Sequence, residues 1–561
     1  MRRLLALLIG LLLAGCVTVP TSGPVQRHQP GEQRADPGVD IAPVPPAPGA
    51  SPGLIVEGFL HAMATYQPGY AVAREFLTPA AGEQWRPESG AIVYAGGFPP
   101  QVSGSGVVLT APMIGALDPL GTFTPGGAQL HHDFGLVQVQ GQWRISRPPR
   151  GLLISQSLFG STWVRADVCF WDATGAWLVP DPRFVPSGAV GLSATVRAVL
   201  GGPSASGRSA YRDRLDTRLQ VGSVTQDADG VVTVEFTGPD ELGEPDRERL
   251  AAELVWSLAS LEGVRGLRVR SNGSAWPLTP GGGPVGTADF AQGAPVPSGV
   301  PADAFVVRQG ELGRLPWRAP AGQVDTIGPA LASPAALAVH GDGQQLAVIT
   351  DGGTRVRTVS VRDGTGRIEL RGSGFTGVRW SRQGELWCVL QRPRGERVRV
   401  LLDGRELAAD AEALPEGRIR VLAPAPDGVR MALVIETEGG PVLGVAAVVR
   451  TGRQLRFTGW TTLSGTAWAP TPQQPLDVGW AGSGELLVLL GSSPATRVVR
   501  VDSRGAVATD IGPNDTSALV ELAASSTGRA VVRGRDGQTW RLVDEASWEP
   551  WLPHVQRIAL P

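Results

Sequence analysis

Apolar positions along this chain change their spacing from segment to segment, and each change marks a different kind of element. Leu4 to Leu13 is apolar throughout apart from Gly10, with Arg2 and Arg3 before it and Ala14-Gly15-Cys16 after it. Ten residues rise about 15 Å as a helix, against a hydrocarbon core of about 30 Å, so the run has the length of a signal-peptide core and not of a membrane span. Residues 16–52 then lose all periodicity. Pro37, Pro43, Pro45, Pro46, Pro48 and Pro52 crowd their second half and predict an extended tether. Helical spacing begins at Ile55, Phe59, Met63 and Tyr66. Tyr70 to Trp85 reads as a second helix, ended by Pro87. Alternation follows at 107–109, 136–139 and 143–145, with a turn at Gly141. Two helices laid on a curved antiparallel sheet predict an α+β cone over 53–155.

From 160 to 276 the pattern alternates between strand and helix. Trp163 to Phe170 and Val231 to Phe236 read as strands, the second after an Asp229-Gly230 turn. Ala189 to Leu200 reads as a short helix closed by Gly201-Gly202. Arg249 to Leu261 reads as an amphipathic helix with Leu250, Leu254, Leu258 and Leu261 on one stripe. Val264 to Val269 returns as a strand into Asn272-Gly273, a hairpin signal. A Pro/Gly-rich run, including Gly281-Gly282-Gly283 and Pro295 to Pro301, predicts a linker over 277–302.

The remainder, 303–561, is strand-like throughout and repeats itself. Five strand–glycine turn–strand units are centred on Gly343, Gly384, Gly428, Gly484 and Gly528, spaced 41, 44, 56 and 44 residues apart. This is the blade period of a β-propeller, and the length suits about six blades. The strands near 304–318 are placed to close the ring with the C-terminus. No blade carries a Trp-Asp signature.

Composition narrows the function. The 50 basic and 52 acidic residues nearly balance, which argues against a nucleic-acid-binding surface. Every basic residue other than His is arginine, a bias of the genome and not of the mechanism. The small residues before Cys16 form the bacterial lipobox L-x-G-C, cleaved between Gly15 and Cys16. Only cysteine supplies the sulfur that takes diacylglycerol, and two acyl chains hold a protein stably on a membrane. Cys16 is thus the predicted lipid-attachment residue. The other cysteines, Cys169 and Cys388, lie in apolar strands far apart and are expected to be buried free thiols in different domains.

The order of segments resembles the actinobacterial lipoprotein family LpqB, which joins a lipobox, a small N-terminal domain, a GerMN domain and a propeller. Glu75-Phe-Leu-Thr-Pro79, Trp85-Arg-Pro87, Asp133-Phe-Gly-Leu-Val137 and Gly141-Gln-Trp-Arg-Ile-Ser146 resemble its first domain, here expected as an NTF2- or cystatin-like cone. Leu200-Gly-Gly-Pro203-Ser204, Asp229-Gly-Val-Val-Thr-Val234 and Leu261-Glu-Gly-Val264 resemble GerMN, an α/β domain. The stretch between Ser204 and Val221 departs from that pattern by being rich in arginine. The resemblance implies an accessory lipoprotein, held by lipid to the extracytoplasmic face of the cell membrane. It would bind the extracytoplasmic domain of a sensor histidine kinase like MtrB and modulate a two-component system linked to cell-wall homeostasis, division and development. It implies no enzyme, cofactor or metal. A reading from another class is a propeller that binds or hydrolyses cell-wall glycan in its channel; it needs carboxylates or a metal converging there.

Other motifs are weaker. Gly372-Ser-Gly374-Phe-Thr-Gly377 spells a dinucleotide fingerprint but leads into a strand and not a helix. His131 and Asp133 share a strand face, as two metal ligands would, without a third nearby. Asp227 and Asp229-Gly230 read as a hairpin turn rather than a calcium loop. Arg265, Arg268 and Arg270 are expected on a solvated strand face. The propeller tryptophans, among them Trp317, Trp380, Trp387, Trp460, Trp468, Trp480, Trp540, Trp548 and Trp551, are expected to pack blades. Asn272 and Asn514 head formal glycosylation sequons.

Overall fold

The computed structural model describes residues 43–561 apart from 104–105, 280, 320–322, 329, 464–472, 493–494 and 514–517. Gly15 and Cys16, the cleavage and lipid-attachment site, lie outside the described residues, as do Asn514 and Trp468.

Helix α1 (Pro52–Ala64) opens the first domain and buries Ile55, Phe59 and Met63, while Tyr66 falls beyond its end and is exposed. The single helix expected from Tyr70 to Trp85 is broken. α2 (Ala71–Glu75) ends before Phe76, and α3 (Pro79–Gln84) begins anew. Pro79 disfavours helical backbone at Thr78, and the Thr78 hydroxyl accepts the Ala81 N–H at 3.3 Å as the cap of α3. The sheet is mixed and not antiparallel. β1 (Ala91–Tyr94) pairs antiparallel with β3 (Gly106–Leu117), which also pairs with β2 (Gln101–Ser103), β4 (Phe123–Pro125) and β5 (Gln129–Asp133). On its other side β1 pairs in parallel with β8 (Leu152–Ser155). The hairpin of β6 (Leu136–Val139) and β7 (Gln142–Ile145) stands apart as its own ribbon, turning at Gln140 and Gly141 with φ of 52° and 73°. Phe59, Trp85 and Phe134 pack at the centre of this domain, with the Trp85 indole donating to the Gly151 carbonyl at 3.0 Å.

After the short helix α4 (Gln156–Thr162), β9 (Trp163–Trp171) and β10 (Leu178–Pro186) form a hairpin. β10 holds Pro180, Pro182 and Pro186. Proline removes ladder donors, and a two-stranded ribbon tolerates that because no further strand pairs with the outer edge of β10. α5 (Ala189–Gly201) ends at Gly202, whose φ is 83°. β11 (Gln220–Gln226), β12 (Val231–Thr237), β13 (Gly266–Ser271) and β14 (Ser274–Ala275) form one sheet in that order. The parallel pair β12–β13 is crossed by α6 (Glu244–Leu258), which starts earlier than the leucine stripe suggested and stops before Leu261. Its acidic first turn (Glu244, Asp246) and Pro245 suit a helix start. Leu250, Leu254 and Leu258 are buried against the sheet core.

Among the described residues, the rest forms six four-stranded blades. Five run within 336–371, 375–410, 418–462, 474–512 and 519–550. Counted from the N-terminus these are the second to the sixth, and the first combines Asp303–Arg308, Glu311–Pro316 and Asp325–Thr326 with the last strand, Val555–Ala559. Phe305 pairs with Ala559 and Val306 with Ile558, which closes the ring as the sequence suggested. The inner strands touch their neighbours around the whole circle. The repeated glycines sit in the turn after each inner strand. Gly343, Gly384, Gly428 and Gly528 have φ of 71° to 81°, the left-handed region where glycine alone is unstrained.

Candidate functional site

The second domain is bolted to one face of the propeller, the face formed by those glycine turns. Asp181 of β10 is wholly buried and meets three neighbours. Arg183 lies at 2.8 Å, the Ser204 N–H donates at 2.6 Å, and Arg504 reaches across from the fifth blade. The two guanidiniums outweigh the burial of Asp181 and hold its carboxyl far below the ordinary range. Arg504 also donates to the hydroxyls of Ser204 and Ser206 at 2.8 and 3.0 Å. A second cluster joins Arg165 to Asp167 (3.1 Å) and to Glu485 (3.3 Å), with the Ser483 hydroxyl donating to Asp167 at 3.2 Å. Arg430 of the fourth blade pairs with Asp427 at 2.8 Å, stacks on Trp480 and donates to Ser503 at 3.2 Å. Arg382 of the third blade lies 4.6 Å from the Trp177 ring and donates to the carbonyls of Ala294 and Pro295 at 2.9 and 3.3 Å. The first domain is tied in as well: the Phe184 N–H donates to the Gly121 carbonyl at 2.8 Å, and Phe184 packs on Phe123 and Phe159. Residues 43–561 form one compact unit.

Beside this seam lies an open groove of about 1060 Å³, walled by the arginine-rich stretch and by Thr458 and Gly459 of the fourth blade. Gly207 and Gly459 meet there so closely that a Cβ on Gly459 would lie 2.4 Å from the Gly207 nitrogen. Arg208, Arg212 and Arg214 stand exposed in the groove, and among the described residues no carboxylate forms an ion pair with them. Arg249 completes the wall, held by Glu253 at 3.2 Å and by the Asp213 carbonyl at 2.6 Å. Asp213 and Asp216 are the acidic groups in the lining. Guanidinium forks grip carboxylates and phosphates in two-pronged fashion, so the groove is equipped for an anionic surface. Its arginines were visible as a run in sequence. The seam residues Asp181, Arg183 and Arg504 were not, because nothing local marks two strand residues and a turn residue 323 positions away as partners.

The other motifs are absorbed by the fold. The run Gly372 to Gly377 enters the strand Phe375–Trp380. His131 bonds to Thr110 at 3.0 Å, and Asp133 takes Arg147 at 2.6 Å and the Gly135 N–H at 2.9 Å. Asp227 accepts the N–H groups of Asp229 and Val231, which makes its segment a hairpin turn. Arg268 and Arg270 are exposed and face Asp227 (3.5 Å) and Glu235 (3.1 Å), with Arg265 exposed beside them. Cys169 and Cys388 are buried and free; burial pushes the Cys388 thiol up to about 12 and that of Cys169 well above its usual value. Trp387 and Trp551 are buried between strands, whereas half-buried Trp380 and buried Trp480 line the central channel. No group of three or more metal-ligating side chains occurs among the described residues, and no helix there is long and apolar enough to cross a membrane.

Comparison with known proteins accounts for most of this chain. Residues 45–160 match the family described as "Lipoprotein LpqB, N-terminal domain", and 317–555 match "Lipoprotein LpqB beta-propeller domain". Between them, 167–275 match "Sporulation and spore germination", the GerMN domain. The chain belongs to the LpqB lipoprotein family. A Lipoprotein LpqB of Cutibacterium acnes is 29% identical over 100% of this chain and 99% of its own length. One of Streptomyces coelicolor is 26% identical over 97% of each chain, and one of Mycolicibacterium smegmatis 30% identical over 47% of this chain and 48% of its own. Among solved structures, a nidogen/laminin complex has a TM-score of 0.36 at 11% identity over 46% of this chain and 97% of that one. TolB of Acinetobacter baumannii has 0.34 at 11% over 61% and 98%. In this member of the LpqB family the GerMN arginines therefore lie on an exposed groove beside the propeller.

Proposed function

We propose that this LpqB-family chain is a membrane-anchored extracytoplasmic lipoprotein that binds and modulates the sensor histidine kinase of a two-component system, of the MtrB kind, linked to cell-wall homeostasis, division and development. Cys16 carries the lipid, and the tether carries the compact body of 43–561 off the membrane. The observation that supports the reading is the groove: three exposed arginines without acidic partners, on a body whose domains are bolted together. A rigid body on a tether presents one face repeatedly at a high effective concentration, so a contact of modest affinity suffices. The partner surface it suits is an acidic patch on the kinase's extracytoplasmic domain. The test is calorimetric titration of the chain from Pro43 onward against that domain. Saturable binding that weakens with salt supports the reading. No binding, either free or with both proteins anchored in one bilayer, defeats it and leaves the second reading, a propeller that binds or hydrolyses wall glycan. In that channel His340 and Asp342 form a single His–carboxylate pair at 2.8 Å.

A further inference from the structure

The propeller's central channel encloses a cavity of about 490 Å³, lined by the inner strands of all six blades. That volume lies within the range of small-molecule sites. Towards the GerMN face the cavity is bounded by Trp177 and by residues 297–300 of the connecting segment, so it lies where two domains meet. Two cations line it, with the buried Asp477 acting on Arg379, and Asp427 and Asp172 acting on Arg382, at longer range than an ion pair. Arg379 is half-buried and donates to the Val378 carbonyl at 2.9 Å. Arg382 bonds only to the carbonyls of Ala294, Pro295 and Pro426. Among the described residues neither forms an ion pair. Burial pulls the Arg382 guanidinium below its usual value, and the charges of Asp427 and Asp172 offset this only in part. The acidic side chain in the lining, Asp342, is already engaged by His340.

The remaining walls have a second character. Trp177 and Trp380 supply indole surfaces. Each inner strand is also the free edge of its blade, so its outward N–H and C=O groups have no ladder partner. Unpaired backbone donors and acceptors suit hydroxyls and amides, indoles suit the apolar faces of a sugar ring, and guanidiniums suit an acidic group.

We propose that the channel is a binding site for a small acidic saccharide, with Arg379 and Arg382 taking its carboxylate or phosphate and the indoles flanking its ring. This site is separate from the arginine groove and does not depend on a kinase partner.

The full chain is titrated by calorimetry, with tryptophan emission followed in parallel, against N-acetylmuramic acid, an N-acetylglucosamine phosphate and neutral N-acetylglucosamine. At least one acidic sugar is expected to bind saturably, at least about tenfold more tightly than the neutral sugar; which one binds identifies the acidic group. Arg379→Gln is expected to weaken it at least about tenfold, and Ser526→Trp, which fills the cavity from its wall, to abolish it. Arg355→Gln, on a strand of the second blade outside the cavity lining, leaves it unchanged. The proposal is overturned if neither acidic sugar binds at about 10 mM, if the neutral sugar binds equally well, or if Ser526→Trp and Arg379→Gln proteins with unchanged melting curves bind like the parent.

Discussion

Arg504, on a turn of the fifth blade, sets its guanidinium against the carboxylate of Asp181, a wholly buried residue of the GerMN domain. The contact is the most deeply buried ion pair across the seam, and it makes two sequence-distant domains depend on each other. Removing one partner of a buried pair leaves a charge with less compensation. Asp181 keeps Arg183 at 2.8 Å, so Arg504→Met is expected to cost about 2–3 kcal/mol, the lower side of what such losses bring. In urea unfolding followed by tryptophan emission, the variant should show the GerMN domain separating from the propeller as an earlier step. Because the Asp181 carboxyl is held low, its contribution is complete above the ordinary carboxylate range and is lost progressively as the pH falls from that range towards the low folded value. Asp181 therefore adds nothing to the change in stability between pH 5 and pH 8, and Asp181→Asn should leave that change as it is in the parent.

Two glycines at the same place in the repeat are glycine for different reasons. Gly528 has a φ of 81° and open space around it, so its constraint is backbone conformation. Gly484 lacks that conformation; a Cβ there would lie 2.7 Å from Oδ1 of Asp167 and 3.0 Å from Cζ of Arg165. Gly528→Ala is expected to cost about 1–2 kcal/mol from left-handed strain alone. Gly484→Ala is expected to cost about 1–3 kcal/mol by overpacking the seam. Pairing each with Asp167→Ala separates them: the second substitution relieves Gly484→Ala and leaves the cost of Gly528→Ala unchanged.

These cases show what the sequence carries. The blades were legible because glycine turns recur at a fixed place, and the closing strand was legible because a ring must bury its last edge. The helix break at Phe76 to Thr78 was hidden by apolar residues that kept helical spacing while Pro79 forbade it. The strand Leu178–Pro186 was hidden by its prolines, whose missing donors cost nothing on a ribbon edge. The arginines of the groove were legible as a run. The groove was not, since its far wall is Gly459 of the fourth blade, and the channel draws its two cations from the third blade and its lid from Trp177.

Glu253 on α6 is buried, and burial raises its carboxyl from 4.5 to about 7 despite Arg249 beside it. A carboxyl raised on folding favours the protonated native state, so its contribution is present below about 4.5 and is lost as the pH rises towards 7. Glu253→Gln keeps the shape and removes the titration. The difference in urea midpoint between pH 5 and pH 8 is expected to shrink in this variant. Part of the slope remains, because buried Asp477 is raised to about 6 in the same way. An unchanged slope would mean that Glu253 stays ionised when folded.

The groove yields the prediction closest to function. Arg208, Arg212 and Arg214 are exposed and make no ion pairs among the described residues, so replacing all three by glutamine removes charge without leaving a partner behind. Stability should move by no more than about 0.5 kcal/mol, as for surface changes in general. Binding to the kinase's extracytoplasmic domain should behave differently. Charges at the rim of a contact act mainly on encounter, so the association rate is expected to fall about tenfold at low salt while dissociation changes little. The gap between parent and variant should close as salt is raised, since screening removes in the parent what the substitution removes in the variant. Arg265, Arg268 and Arg270 are the control. Two of them face Asp227 and Glu235, so the same triple change on that strand takes away charge that is largely compensated already. Equal losses from both triple variants would show that net charge, and not this groove, steers the partner.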